Sequence, residues 1–371
     1  MKIAVFAHIR HAIAEPFMGG MEAHCRMLCD GLRASGHDVT LFAAAGSRDA
    51  QLFEICDAPY DSVLPWAVWR GTPELAAYQR EAFARGWAEV LARDFDVVHN
   101  NSLCPAIIEW AARDGVPLVT SQHVPPFGAM RDAVIDHAYH PGMMTTVTSH
   151  SQLEAWDPGP GANLRVVHNG IRCDQWIPAA RAEDHFVWVG RITPNKGTGE
   201  AARAARMARA KLKIVGPVED ARYFMEQVEP HLTDGIEYHG HRTTDALRPI
   251  VAQARGALVT PLWDEPFGLV AAEALSCGTP VCAYGSGALA EVVGDCGFIV
   301  PPRDIGALAV AMGRIDEVSR RRCRQRVLTR YSVPAMIEGY QACYRRVVDT
   351  RADQAASAFA SSQSSTTALL A

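Results

Sequence analysis

The sequence predicts an α/β protein built on two doubly wound parallel sheets. Short, continuous apolar runs alternate with stretches of helical periodicity along most of the chain, as buried parallel strands and their crossover helices do. The alternation comes in two series of similar size. Polar, proline-interrupted sequence between Arg172 and Asp184 separates them. The residues that look chemical fall directly after strands, where open α/β sheets bind ligands. With 371 residues, the chain has room for two or three domains.

The first series opens with the apolar run Ile3–Ala7. A loop follows, ending in Gly19-Gly20. Met21, Cys25, Leu28 and Leu32 then mark one helix face, and Gly36 is placed to stop that helix. Val39–Phe42 is the next strand. Further strands are expected at Phe95–His99, Pro117–Ser121, Thr145–Thr148 and Arg165–Val167, with helices at Glu74–Arg93 and Pro105–Arg113. The second series has strands at Phe186–Val189, Leu212–Val215, Ile236–Tyr238, Ala257–Thr260, Val281–Tyr284 and Phe298–Val300. Helices are expected at Thr198–Ala208, Asp245–Ala254 and Leu269–Ser276. Val333–Val348 reads as a last helix. The division is therefore residues 1–172, residues 173–330, a terminal helix over 331–350, and a Ser/Ala/Thr-rich tail over 351–371 with little to bury, expected to be disordered.

Composition narrows the function classes. A net charge of −5 offers no basic excess to hold a polyanion, which argues against a dedicated nucleic-acid binder. No apolar run approaches a membrane span. The N-terminal apolar run is too short for a signal-peptide core, so the ten cysteines are read as reduced thiols in a cytoplasm. Peripheral membrane contact stays open.

The densest chemical signal is Glu265-Pro266-Phe267-Gly268-Leu269 through Glu273, following a strand. Pro266 suits a helix start, and the N–H groups near Phe267, Gly268 and Leu269 form an anion site at a helix N-terminus. Glu273 has Leu269, Val270, Ser276 and Cys277 around it in the helix. A carboxylate on such a face is costly unless something pairs with it, and ribose hydroxyls would. The bland reading makes Glu265 a cap and Glu273 a solvent-facing residue. Next come Arg191, directly after a strand, and Lys196 in the following turn. Two fixed cations at a strand end suit a diphosphate. Surface solvation is the common fate of such residues, but only four of the 36 basic residues are Lys, which makes Lys196 informative.

His99 and His123 are expected at strand ends. A lone histidine is more often structural than catalytic. His168-Asn169-Gly170 reads as a turn, and His137-x-x-His140 as structural rather than metal-binding. Gly19-Gly20 would let backbone approach a phosphate closely; a flexible loop is an equal reading. Gly285-Ser286-Gly287-Ala288-Leu289-Ala290 fits a dinucleotide fingerprint, but Val281 to Val300 is too short for a βαβ unit. Asp94-Phe95-Asp96 precedes its strand and so points away from the ligand end.

Taken together, Gly19-Gly20, Phe95–His99, His168–Ile171, Val189-Gly190-Arg191 with Pro194-x-Lys196-Gly197, Glu265–Glu273, Gly278–Val281 and Glu291-Val292-Val293 resemble the retaining glycosyltransferases of family 4. Phe95–Leu103, Val215-Gly216-Pro217 and Trp263-Asp264-Glu265 are most similar to the subgroup typified by an avilamycin-pathway glycosyltransferase. The resemblance implies the GT-B fold, two Rossmann-like domains facing across a cleft, and a nucleotide-sugar donor. It further implies that Arg191 and Lys196 bind the diphosphate and Glu273 the ribose. Glu265 would take sugar hydroxyls beside the amides of Phe267, Gly268 and Leu269. Gly19 and Gly20 would approach the phosphate, His123 the sugar's reacting face, and His99 the sugar. No metal or cofactor is expected. The acceptor stays open among a saccharide, a lipid-linked molecule and a small metabolite. The competing readings are a nucleotide-sugar sensor without turnover, a dinucleotide-dependent oxidoreductase and a periplasmic-type sugar-binding protein.

Overall fold

A computed structural model of the chain describes the backbone of residues 1–368 and the side chains of residues 1–351. The expected tail, 351–371, lies outside the residues with described side chains, apart from Arg351. The chain divides into two compact units. One comprises Met1–Thr148, Leu153–Val167 and the chain from Ile337 on; the other comprises Ser149–Gln152 and His168–Met336. The sequence border at 172/173 differs from the division at Val167/His168 because residues 168–172 pack within the second unit. There the Ile171 amide donates to the Tyr331 carbonyl, and Gly170 lies against the Val333 backbone.

The first unit holds a seven-stranded, wholly parallel sheet. Its strands are β1 (Lys2–Ala7), β2 (Asp38–Ala44), β3 (Leu52–Cys56), β4 (Val97–Asn101), β5 (Leu118–Gln122), β6 (Met143–Val147) and β7 (Leu164–Val166), in the order β3-β2-β1-β4-β5-β6-β7. β1 is buried from Ile3 to Ala7 because helices cover both faces of the sheet. Phe6 stacks on Phe42 with ring centroids 4.7 Å apart, and helix Pro73–Ala92 adds Phe83 and Trp87 to this core. β3 escapes the sequence reading. It is a half-exposed edge strand interrupted by Glu54, so it shows no continuous apolar run.

The second unit repeats the plan with six parallel strands: β8 (Phe186–Val189), β9 (Leu212–Val215), β10 (Ile236–Tyr238), β11 (Gly256–Val259), β12 (Val281–Tyr284) and β13 (Gly297–Val300). Their order is β10-β9-β8-β11-β12-β13. In each sheet the strand order reverses once, between β1 and β4 and between β8 and β11. Loops leaving the carboxyl ends at such a reversal line a crevice. In the second unit these are residues 190–197 and 260–268, the two segments already singled out for their chemistry.

All ten cysteines are buried free thiols. No described helix is long and apolar enough to cross a membrane. The last helix, Val333–Ala368, extends beyond the expected end at Val348. Asp96 lies ahead of β4, where its carboxylate accepts the Lys2 amide at 2.7 Å, a structural use of the D-x-D spelling.

Candidate active site

In the second unit, β8 ends at Val189, and the chain turns through Gly190-Arg191 into the one-turn helix Pro194–Lys196. This turn is stitched to the loop after β11. The Thr260 hydroxyl donates to the Gly197 carbonyl at 2.8 Å, and the Leu262 amide donates to the Asn195 carbonyl at 2.8 Å. The stitching places Lys196 against the second loop. Lys196 Nζ donates to Glu265 Oε2 at 2.8 Å and sits 4.9 Å from the Trp263 ring centre, while Trp263 Nε1 donates to the same oxygen at 3.0 Å. Both charged side chains are largely withdrawn from water, Lys196 at 23% and Glu265 at 16% exposure. An ion pair so placed is screened less than a surface pair.

Arg191 is more open. Its Nη1 donates to Glu219 Oε2 at 2.9 Å, and both side chains are nearly half exposed. Such a pair holds its partners weakly and leaves the guanidinium exchangeable. Sequence reasoning passed over Trp263 as a partner of Lys196, and Glu219 entirely. Nothing in their spacing reports which strand end they share.

Gly268, with φ +88°, precedes helix Leu269–Ser276 in the left-handed region, which an L side chain rarely adopts. The amides that open this helix have no acceptor in its own ladder. Phe267 is buried and anchors the turn. One turn on, Glu273 is partly buried. Burial pushes its carboxyl up to about 8, against the pull of the nearby Arg248 guanidinium. No described side chain or amide donates a hydrogen bond to the carboxylate. That leaves a partly desolvated carboxyl without a hydrogen-bond partner among the described residues.

The fingerprint-like segment 285–290 has a different use. Gly287, at φ +56°, packs directly on the Glu265 peptide, where any Cβ would overlap the Glu265 carbonyl. The Ala288 amide donates to that carbonyl at 2.9 Å. The segment backs the Glu265 loop, so its glycines have a packing role that needs no dinucleotide.

In the first unit, Gly19 precedes helix Gly20–Ala34. His123 directly follows β5. Its Nε2 is 2.6 Å from Asn101 Oδ1, and burial draws its pKa down to about 4. His24 of the same helix lies 4.2 Å from His123, ring centre to ring centre. It is buried, both of its ring nitrogens lack partners, and burial and then His123 hold it neutral. The apolar helix pattern concealed His24. His99 corrects the sequence reading. β4 runs on to Asn101, so His99 stands mid-strand rather than at a strand end. It is fully buried, and its ring nitrogens meet Ser121 Oγ at 2.7 Å and the Tyr344 hydroxyl at 2.5 Å. Burial lowers its pKa to about 3. With both nitrogens engaged inside the core, His99 offers no nitrogen to a sugar.

Comparison with known proteins settles the family. Residues 18–175 match the model described as Glycosyltransferase Family 4, and residues 183–317 match that described as Glycosyl transferases group 1. Between them the two models take in the strand-end loops of both units. The chain belongs to the GT4-like glycosyltransferases. The D-inositol 3-phosphate glycosyltransferase of Mycobacterium avium (strain 104) is 28% identical over 365 residues, covering 84% of each chain. Among solved structures, AviGT4, a glycosyltransferase involved in avilamycin A biosynthesis, is similar with a TM-score of 0.68 and 23% identity, covering 94% of this chain and 98% of that one. Anabaena HepE in complex with UDP also has a TM-score of 0.68, at 17% identity, with 92% and 99% covered. The structural likenesses show the fold of this glycosyltransferase, two Rossmann-like units of the GT-B class.

Proposed function

We propose that this glycosyltransferase moves a hexosyl unit from a nucleotide-diphosphate sugar to a hydroxyl acceptor with retention of configuration. UDP is the favoured nucleotide, a preference supported by a structural neighbour captured with UDP. One observation carries the reading. At the reversal of the second sheet, Arg191 and Lys196 follow β8, Lys196 is bonded to Glu265 of the loop that leads into helix Leu269–Ser276, and in that helix Glu273 carries a raised, unbonded carboxyl. The finer kinship with the avilamycin-type subgroup rests on the spellings Phe95–Leu103, Val215–Pro217 and Trp263–Glu265.

In this reading Lys196 and Arg191 hold the diphosphate, and Glu273 accepts hydrogen bonds from the ribose hydroxyls. Glu265, kept in place by Lys196 and Trp263, takes hydroxyls of the sugar. Gly19 and Gly20 bring backbone close to phosphate, and His123, neutral at physiological pH, meets the sugar's reacting face. As the bond from the anomeric carbon to phosphate oxygen breaks, its electron pair stays on the diphosphate. The two cations and the helix amides stabilise that charge in place. They neutralise it without calling on a metal. The acceptor hydroxyl attacks from the same face and passes its proton to the departing phosphate oxygen. Retention then follows without a covalent sugar–enzyme intermediate.

The test is a thermal-shift screen with UDP, GDP and ADP. At a concentration of about 100 Kd, the right nucleotide adds roughly 2.7 kcal/mol of stability. Lys196→Ala and Glu273→Ala should abolish this shift in protein that remains folded. Wild-type affinity in both variants would refute the site. Steady nucleotide release on adding an acceptor distinguishes a transferase from a sensor without turnover.

A further inference from the structure

A second group of chemically competent side chains lies entirely in the second unit, behind the donor-site turn, with the His168 ring centre 6.2 Å from that of Phe267. His150 begins helix His150–Trp156, His168 follows β7, and Glu291 lies on the short helix Leu289–Val293. His150 Nδ1 and His168 Nε2 lie 2.8 and 2.7 Å from the same oxygen, Glu291 Oε1, and one ligand atom from each residue falls within 4.8 Å of the others.

Three features separate this group from an ordinary surface ion pair. Two imidazole nitrogens, rather than one, converge on a single carboxylate oxygen. The carboxylate is also oriented, its Oε2 accepting the His150 amide at 2.9 Å, and the backbone that carries it is held where the Glu291 main-chain carbonyl accepts from Arg326 Nη2 at 2.6 Å and the Tyr331 hydroxyl at 3.1 Å. Outer partners of this kind fix the ligands of metal sites. Finally, His168 is set edge-on to Tyr331, with ring centres 5.1 Å apart, whereas His150 is 67% exposed. The group thus has two placed ligands, one adjustable ligand and an open side facing water.

We infer that His150, His168 and Glu291 form a binding site for a zinc-class divalent cation, with water completing the coordination. Two imidazoles and one carboxylate are the donor set such ions take, at bond lengths of about 2.0–2.2 Å. Binding requires the proton of each ring to sit on the nitrogen facing away from the ion, which a tautomer change and a small rotation of His150 provide. The site stands independently of the proposed transfer chemistry.

The experiment is calorimetric titration of the full chain with zinc chloride, paralleled by Co²⁺ absorption. The expected result is one ion per chain, with visible bands of tetrahedral Co²⁺. His150→Ala and Glu291→Gln should each weaken binding by about ten-fold or more. His239→Ala removes an isolated His–Glu pair, His239 with Glu237 at 2.9 Å, and should leave affinity unchanged. His150 is an exposed position, so its variant decides the matter even if Glu291→Gln fails to fold. Wild-type zinc affinity in His150→Ala, or an equal loss in His239→Ala, overturns the site.

Discussion

The two units share a sheet plan but treat their chemical residues in opposite ways. In the second unit Lys196, Arg191, Glu265 and Glu273 stand on loops and a helix start at the strand reversal. Lys196, Arg191 and Glu265 form ion pairs and are partly open, whereas burial raises the Glu273 carboxyl to about 8. In the first unit His24, His99 and His123 are drawn into the interior and held neutral by burial. From sequence, His99 and Lys196 looked alike, each a polar residue placed near a strand's carboxyl end. The difference is two residues of strand. β4 continues past His99 to Asn101, whereas β8 stops at Val189, short of Arg191 and Lys196. For this pair, where the strand ends decides whether the polar side chain stands in a loop or in the core.

The largest expected effect tests the open side of this contrast. Lys196→Ala should lower the transfer rate by about 10²–10³-fold, the usual loss when one preorganised charge is removed from a developing anion. Its melting temperature should move little. Steady-state rates with the nucleotide sugar identified by the screen check this, and a rate within three-fold of wild type would erase the contrast.

The buried side is tested by His99→Ala. It should cost about 2–4 kcal/mol of stability, through a cavity and a Tyr344 hydroxyl left without a partner. Nucleotide affinity should stay intact. Denaturant unfolding measures the first and titration the second; lost affinity with stability unchanged would make His99 a ligand contact after all.

Glu273→Gln sharpens the comparison through pH. The folded-state pKa of about 8 lies above the ordinary 4.5, so between these values the folded protein holds a proton that the unfolded chain has released. Stability of the wild type therefore falls as pH rises through this window. The Gln variant has no such slope and should gain on wild type by on the order of 1–3 kcal/mol above pH 8. Melting curves from pH 5 to pH 9 show it; parallel curves would mean the carboxylate is already well solvated.

The smallest effect belongs to Glu219→Ala. It releases an exposed pair and should change stability by less than about 1 kcal/mol. Nucleotide affinity, read by titration, should hold or rise slightly as Arg191 is freed. A large loss of affinity would show that Glu219 itself orients the guanidinium.

Much of the fold was legible because parallel strands are continuous apolar runs. β8, β9, β10 and β12 coincide with their sequence readings. β3 was not legible, since an edge strand carries polar residues on its open side. In the candidate site, Arg191, Lys196, Glu265 and Glu273 stood out in the sequence by charge beside a strand or glycine turn. Their partners Glu219 and Trp263 did not, because pairing depends on which strands are neighbours. The same holds more strongly for His150, His168 and Glu291. Glu291 lies 141 residues from one histidine and 123 from the other, and no local spacing links them.

Gly287 has a bearing on any effort to redirect this protein. The Glu265 peptide rests on that glycine, where any side chain would overlap it. Substitution there acts as a wedge beneath the loop and tilts Glu265 from behind. Libraries that randomise only ligand-facing positions would leave untouched a residue that supports the backbone of that carboxylate.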